Sequence, residues 1–290
     1  MFSLENLLFN QVSLANEQLR IAIAFFGLLL TSYFDVFSRR NVPESLLYVF
    51  LFASIAVNFI SYNEDIFLFS LAVALTIALF GYASYRLGQI GLADVLVMLS
   101  INFALPLHPS LSALSFNFPL IAGVFVFSGI LFALYFLVSF SVRIYRTSAR
   151  PDMLSFAILI PYIALAYVYI NSPLYSPVYF SFITIMVFAT MFFFAYRNDI
   201  YKMQAEKVPL SRLDAEEVVA IELIDPALVK KYRLQRLVTK DELERLRKLA
   251  VKEKQLRELW IYTKLPPFLP FMLAGLLVAL LFSKYLLLFQ

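Results

Sequence analysis

The chain has 290 residues, 61% of them hydrophobic and 17% aromatic, with 15% charged and no cysteine. A soluble domain carries about 25% charged residues, so a soluble enzyme is excluded, as are disulfides, thiolate metal sites and a cysteine nucleophile. The net charge of +4 gives no reason to expect a nucleic-acid partner, because residues 197–264 alone hold 16 of the 24 Lys and Arg and 12 of the 20 Asp and Glu.

Residues 1–18 carry Glu5 and Glu17 but no Lys or Arg. A cleaved secretory signal opens with a basic region, so the first apolar run is expected to be a retained span. Mostly apolar stretches long enough for a membrane helix fall at 19–37, 45–61, 65–86, 90–105, 119–141, 154–171, 177–196 and 267–288. Charges and turn formers separate them, as in Ser61-Tyr62-Asn63-Glu64, Arg86-Leu87-Gly88-Gln89 and Asn171-Ser172-Pro173. Basic residues follow the first run (Arg39, Arg40), the third (Arg86), the fifth (Arg143, Arg146, Arg150) and the seventh (Arg197, Lys202), and none follows the second, fourth or sixth. The positive-inside rule then places the amino terminus outside and the basic loops in the cytoplasm.

The expected fold is an all-α polytopic membrane protein of about eight transmembrane helices. Residues 1–196 form a membrane domain of seven spans, 197–265 a small cytoplasmic helical insert, and 266–290 the last span. Within the insert, Asp214-Ala215-Glu216-Glu217 and Thr239-Lys240-Asp241-Glu242 each read as a helix N-cap with Glu three residues on. Leu243, Leu246, Leu249 and Leu256 would supply its apolar face. Pro226-Ala227-Leu228 matches a triplet of presenilin-type proteases but lies in this polar segment and is read as chance.

Ionisable groups in hydrocarbon cost several kcal/mol and persist where they pair, face a cavity or work. Two acids lie inside apolar runs, Asp35 and Asp94, and no basic residue is expected in the interior to neutralise them. Asp35 lies four residues before Arg39, about 6 Å below the basic collar, and Asp94 roughly 6–9 Å into the fourth span from the same side. Two carboxyls sharing a low-dielectric site hold one proton between them. The ionised member can activate water while the protonated one hydrogen-bonds a scissile carbonyl. Neither a metal nor a cofactor is needed. Asp152, after Pro151, reads as a helix cap, and His108, in a Pro-flanked outer loop, is given no role.

Asp94 closes Gly91-Leu92-Ala93-Asp94, where small residues leave room beside the carboxylate. Asp35 begins Asp35-Val36-Phe37-Ser38-Arg39-Arg40-Asn41-Val42-Pro43-Glu44, whose Pro43 closes the inner loop and starts the next helix. On these residues the chain resembles the archaeal preflagellin and prepilin peptidases, of the type IV prepilin peptidase family of G-x-G-D membrane aspartyl proteases. That family carries one Asp at the inner end of its first span and a second, about sixty residues later, opening the fourth. Pro266-Pro267-Phe268-Leu269-Pro270-Phe271 with Gly275 resembles the closing region of the archaeal members. Ala93 stands in place of the second glycine and Leu96 in place of a frequent Lys, and the zinc-binding Cys pairs of bacterial relatives are absent.

The resemblance implies an endopeptidase that removes the short basic leader of type IV pilin-like or archaellin precursors at the cytoplasmic membrane face. Asp35 and Asp94 would be catalytic, supported by Gly91, Ala93, Arg39 and Pro43, and the partners would be the leader-bearing precursor and the lipid bilayer. Glu44 and Asp152 could attract a basic leader, although a loop or capping role suits each better. Read singly, either Asp suits a helix-to-helix hydrogen bond as well as catalysis. Rival readings are a proton-coupled transporter using Asp35 and Asp94 as a relay, a scaffold of a surface-filament machine, and a presenilin-like protease.

Overall fold

The computed structural model describes residues 14–38, 42–60, 62–109, 118–147, 149–173, 175–214, 217–253, 256–263 and 265–286. The chain is mostly helical, and each apolar run of the sequence is occupied by helix. The first helices are α1 (Glu17–Phe37), α2 (Glu44–Ile60), α3 (Glu64–Arg86), α4 (Leu92–Ala104) and α5 (Leu120–Thr147). A 3-10 segment, Met153–Ile158, then runs into α6 (Leu159–Ile170), followed by α7 (Pro177–Ala195) and α8 (Arg197–Gln204). The polar insert continues through β1 (Ala205–Pro209), α9 (Pro226–Tyr232), α10 (Lys240–Lys252) and β2 (Glu258–Tyr262), and the chain closes with α11 (Leu269–Leu286).

Among the described residues, four helical units are long and apolar enough to cross a membrane: α1, α3, α5 and Met153–Ile170. A fifth results if α7 is taken with α8, from which an 81° bend separates it, while α2, α4 and the apolar part of α11 are shorter. The architecture is compatible with a multi-pass membrane protein. Helix starts follow local chemistry. Asn63 Oδ1 accepts the Ile66 N–H at 3.1 Å and Ser176 Oγ the Tyr179 N–H at 3.3 Å. Pro43 O accepts the Leu46 N–H at 3.0 Å as α2 begins. Asp152 caps the 3-10 segment through the Leu154 N–H at 3.1 Å.

Four helices close into a ring: α1 packs on α4 and α11, and α5 packs on the same two. Leu28, Val97, Ile101, Val124, Met272 and Leu276 fill its interior. Lipid tails are as apolar as these side chains, so close backbone approach carries much of the packing. At Gly275 an added Cβ would meet Ser128 Oγ and come within 2.7 Å of the Val124 carbonyl, so only glycine lets α5 and α11 touch there. Helices α2 and α3 flank α4, and α7 lies against α5. Met153–Ile170 is outermost and almost wholly uncovered.

The end of the ring remote from Asp35 is closed by Arg20, which is 2% exposed. Its guanidinium donates to Asn58 Oδ1 at 2.9 Å, to the Ala104 carbonyl at 3.1 Å and to the Val57 carbonyl at 3.5 Å. Asn58 in turn donates to the Phe103 carbonyl at 2.9 Å. Those carbonyls belong to the last turns of α2 and α4, which lack partners within their helices and carry the negative ends of the helix dipoles. The interior therefore holds a basic residue that sequence reading left out. It lies 15 positions before Asp35 on α1, about 22 Å along the axis.

The polar insert is not purely helical. Strands β1 and β2 pair antiparallel, with Ala205 opposite Tyr262 and Pro209 opposite Glu258. The insert has its own core, centred on Leu213, Val219, Val238, Leu246, Leu256 and Ile261. Thr239 Oγ accepts the Glu242 N–H at 3.3 Å and opens α10 as expected, but Leu256 joins the core from beyond that helix. Among the described residues, Glu217 to Ala220, which follow Asp214, are not helical. Ala215 and Glu216 lie outside the described residues, and Val218 and Val219 form single bridges to Leu237 and Ile261. These β-branched side chains suit an extended backbone more than a helix.

Candidate active site

Asp35 lies in the last turn of α1, 8% exposed. Its Oδ2 accepts the backbone N–H of Leu269, the first residue of α11, at 3.1 Å. The donors at this helix start can be followed one by one. Pro270 has no N–H, while Phe271 and Met272 donate to the Phe268 carbonyl at 3.0 and 3.2 Å. The one remaining first-turn donor, from Leu269, goes to Asp35, where the positive end of the helix dipole favours a carboxylate.

Asp94 is the third residue of α4 and half-buried. Its Oδ2 accepts the N–H of Gly91, the N-cap of its own helix, at 3.0 Å, which is the carboxylate half of a capping box. Gly91 adopts an extended conformation open to any residue, but a Cβ there would sit 3.2 Å from Asp94 Oδ2. The glycine thus leaves space around the carboxylate rather than supplying an unusual turn. Ala93 is half-buried and packs on the ring core.

Helices α1 and α4 pack together, with Asp35 in the last turn of the first and Asp94 in the first turn of the second. Each is held through one oxygen by a backbone N–H at a helix start, Asp35 by α11 and Asp94 by α4. Pro43 starts α2 from the loop after Asp35, with its side exposed. Arg39 lies outside the described residues. His108 is at the other end of the ring, bonded through Nε2 to the Ala279 carbonyl at 2.9 Å. Among the described residues no three His, Asp or Glu side chains group as metal ligands do.

Sequence reasoning missed two neighbours of the pair. The Leu269 amide was legible in principle, since a proline at the second position of a helix leaves few N–H groups to place. The second is contact between the insert and the loop leading to Gly91. Gly88 takes a left-handed conformation, φ 66°, and the Arg236 stem and Val218 pack where its side chain would be. Arg236 pairs with Glu222 at 3.0 Å, and Tyr262 donates to the same carboxylate at 2.9 Å. Burial holds the Tyr262 phenol above its ordinary pKa, and the bond to Glu222 adds to the effect. A cavity of about 540 Å³ is lined entirely by insert residues and does not adjoin the acids.

No known protein family, curated protein or solved structure matches this chain.

Proposed function

We propose that the chain is a membrane aspartyl endopeptidase that removes the short basic leader of pilin-like or archaellin precursors at the cytoplasmic membrane face. The observation that carries this reading is the packing of α1 on α4, which puts Asp35, in the last turn of one, and Asp94, in the first turn of the other, on touching helices in a chain whose composition excludes thiol chemistry. One carboxylate takes a proton from a water lying between them, and that water attacks the carbonyl carbon of the scissile peptide. The other carboxyl, protonated, hydrogen-bonds the carbonyl oxygen as it gains charge. The proton taken from water passes to the leaving amine as the C–N bond breaks. The two backbone N–H donors fix the carboxyl planes, so little reorganisation accompanies the step.

In this reading all eight apolar segments cross the bilayer, the amino terminus is outside, and the insert is cytoplasmic. The precursor's apolar helix stays in the membrane while its basic leader reaches the acids from the cytoplasm.

The test compares the native chain with Asp35→Asn and Asp94→Asn in membranes containing leader-bearing precursors. Each substitution keeps volume and removes titration, so cleavage falls at least about a hundredfold while insertion and expression are unchanged. Near-native processing by either variant overturns the reading in favour of a structural or proton-relay role for the pair.

A further inference from the structure

A second cavity, of about 340 Å³, opens between the end of α5 and the strand-to-helix linker that precedes α11. Its polar lining consists of Tyr135, Ser139, Arg143 and Thr263. The first three follow at intervals of four and so share one face of α5. All four side chains can donate hydrogen bonds, one carries a full charge, and no carboxylate lines the cavity. Among the described residues none of these four polar ends has a protein hydrogen-bond or ion-pair partner; Arg143 only lies over the Phe140 ring, 5.4 Å from its centroid. The remaining walls are apolar and include Leu265 and Pro267. One guanidinium with three hydroxyls free to donate, and no carboxylate among them, suits an oxyanion, and apolar walls suit one attached to hydrocarbon.

Position supports the same ligand. Helix α5 has 28 residues, about 42 Å against a hydrocarbon core of about 30 Å, and Arg143 lies about 35 Å from its first residue. The last turns therefore reach headgroup level at the basic end, where Tyr145 is 88% exposed beside Arg146. We propose that this cavity binds the phosphate of an anionic membrane lipid, with Arg143 as the charged contact and Tyr135, Ser139 and Thr263 as neutral donors. A positive site of this kind repels a basic leader, so it is separate from the path of the proposed substrate. Its Pro266-Pro267 wall leads directly to Leu269, the donor to Asp35.

The test is native mass spectrometry of the full chain in neutral detergent, titrated with phosphatidylglycerol, with phosphatidylcholine or with inorganic phosphate. Lipid retention is read by mass, so the outcome is independent of whether the chain cleaves anything. Phosphatidylglycerol is expected to bind more tightly than phosphatidylcholine, and millimolar inorganic phosphate is expected not to displace it. Arg143→Gln should weaken retention about tenfold, equivalent to about 1.4 kcal/mol. Arg143→Lys should retain part of the affinity, and Ser139→Ala should show a smaller loss. Arg146→Gln, outside the cavity, serves as the control. Equal loss in Arg146→Gln and Arg143→Gln means diffuse surface charge and overturns the proposal. Displacement by inorganic phosphate assigns the site to a free anion and overturns the lipid assignment, and equal binding of phosphatidylcholine does the same for the anionic headgroup.

Discussion

Leu269 and Asp35 are 234 positions apart, yet a 3.1 Å hydrogen bond joins the backbone N–H of one to the carboxylate of the other. The bond ties the last helix to the first at the level of the acid pair, and it can be removed without removing the acid. Leu269→Pro deletes the donor at the first position of a helix, where proline is well tolerated. Leu269→Ala keeps the donor but loses core packing. A hydrogen bond to a charged group contributes about 1.5–3 kcal/mol, so the proline variant should lose roughly ten- to a hundredfold in the rate of precursor cleavage. The alanine variant should unfold at a lower temperature, by about 2–4 kcal/mol of stability, yet cleave normally when folded. Equal cleavage by the two variants would show that the bond does not orient Asp35.

Gly91 makes a second, narrower case. Gly91→Ala suits the extended backbone and should alter stability by less than about 1 kcal/mol, but its methyl sits 3.2 Å from Asp94 Oδ2. The expected result is a drop in turnover of about tenfold with unchanged thermal unfolding, reflecting a misdirected general acid or base. A rate equal to native would mean that Asp94 tolerates displacement.

Arg20 supports the opposite end. Arg20→Met leaves the Ala104 and Val57 carbonyls without their donor in an apolar setting. The cost should be about 2–4 kcal/mol, seen as a lower unfolding temperature in detergent, with Arg20→Lys intermediate. Turnover below the transition should hold, since the change is about 22 Å from Asp35. An unshifted transition would count against the capping role.

Tyr262 gives the insert a pH dependence. Its folded-state pKa is raised, so the native chain binds the phenolic proton more tightly than the unfolded one does. Stability from this group is complete below the ordinary tyrosine value and declines as pH climbs beyond about 10. Tyr262→Phe should lose stability at neutral pH, by about 1.5–3 kcal/mol for a hydrogen bond to a carboxylate, and show a flatter alkaline limb. Parallel curves for the two proteins between neutral and alkaline pH would remove Tyr262 from this role.

The absence of cysteine makes membrane sidedness easy to read. With Ser172→Cys and Ser211→Cys introduced singly, an impermeant maleimide added to intact cells should label the first and reach the second only after lysis. Labelling of both from outside would contradict the eight-span arrangement.

Much of the helical framework could be read from hydropathy, because apolar runs and turn formers alternate plainly, and Asp35 and Asp94 stood out as charges among hydrocarbon side chains. Their placement on two touching helices could not, since it depends on which helices pack together. Arg20 was passed over although it is the second residue of the first apolar run, because a basic residue so near the end of a run reads as an end marker; its burial arises from two neighbouring helices ending beside it. The strands escaped for another reason. Glu258-Leu259-Trp260-Ile261-Tyr262 is too short to separate from helix by pattern alone, and its partner lies before the whole of the rest of the insert.

The β1–β2 ribbon also gives the polar segment a narrow neck. Directly opposed residues in an antiparallel pair stand about 5 Å apart, so the chain leaves the bundle at Ala205 and returns at Tyr262 to nearly the same point. Everything between is entered and left through that neck, and it also rests on the Gly88 turn through Arg236 and Val218. A rigid fusion protein whose own ends lie equally close could be grafted into that neck without respacing α7 and α11, giving a small membrane protein the bulky fiducial that electron imaging requires.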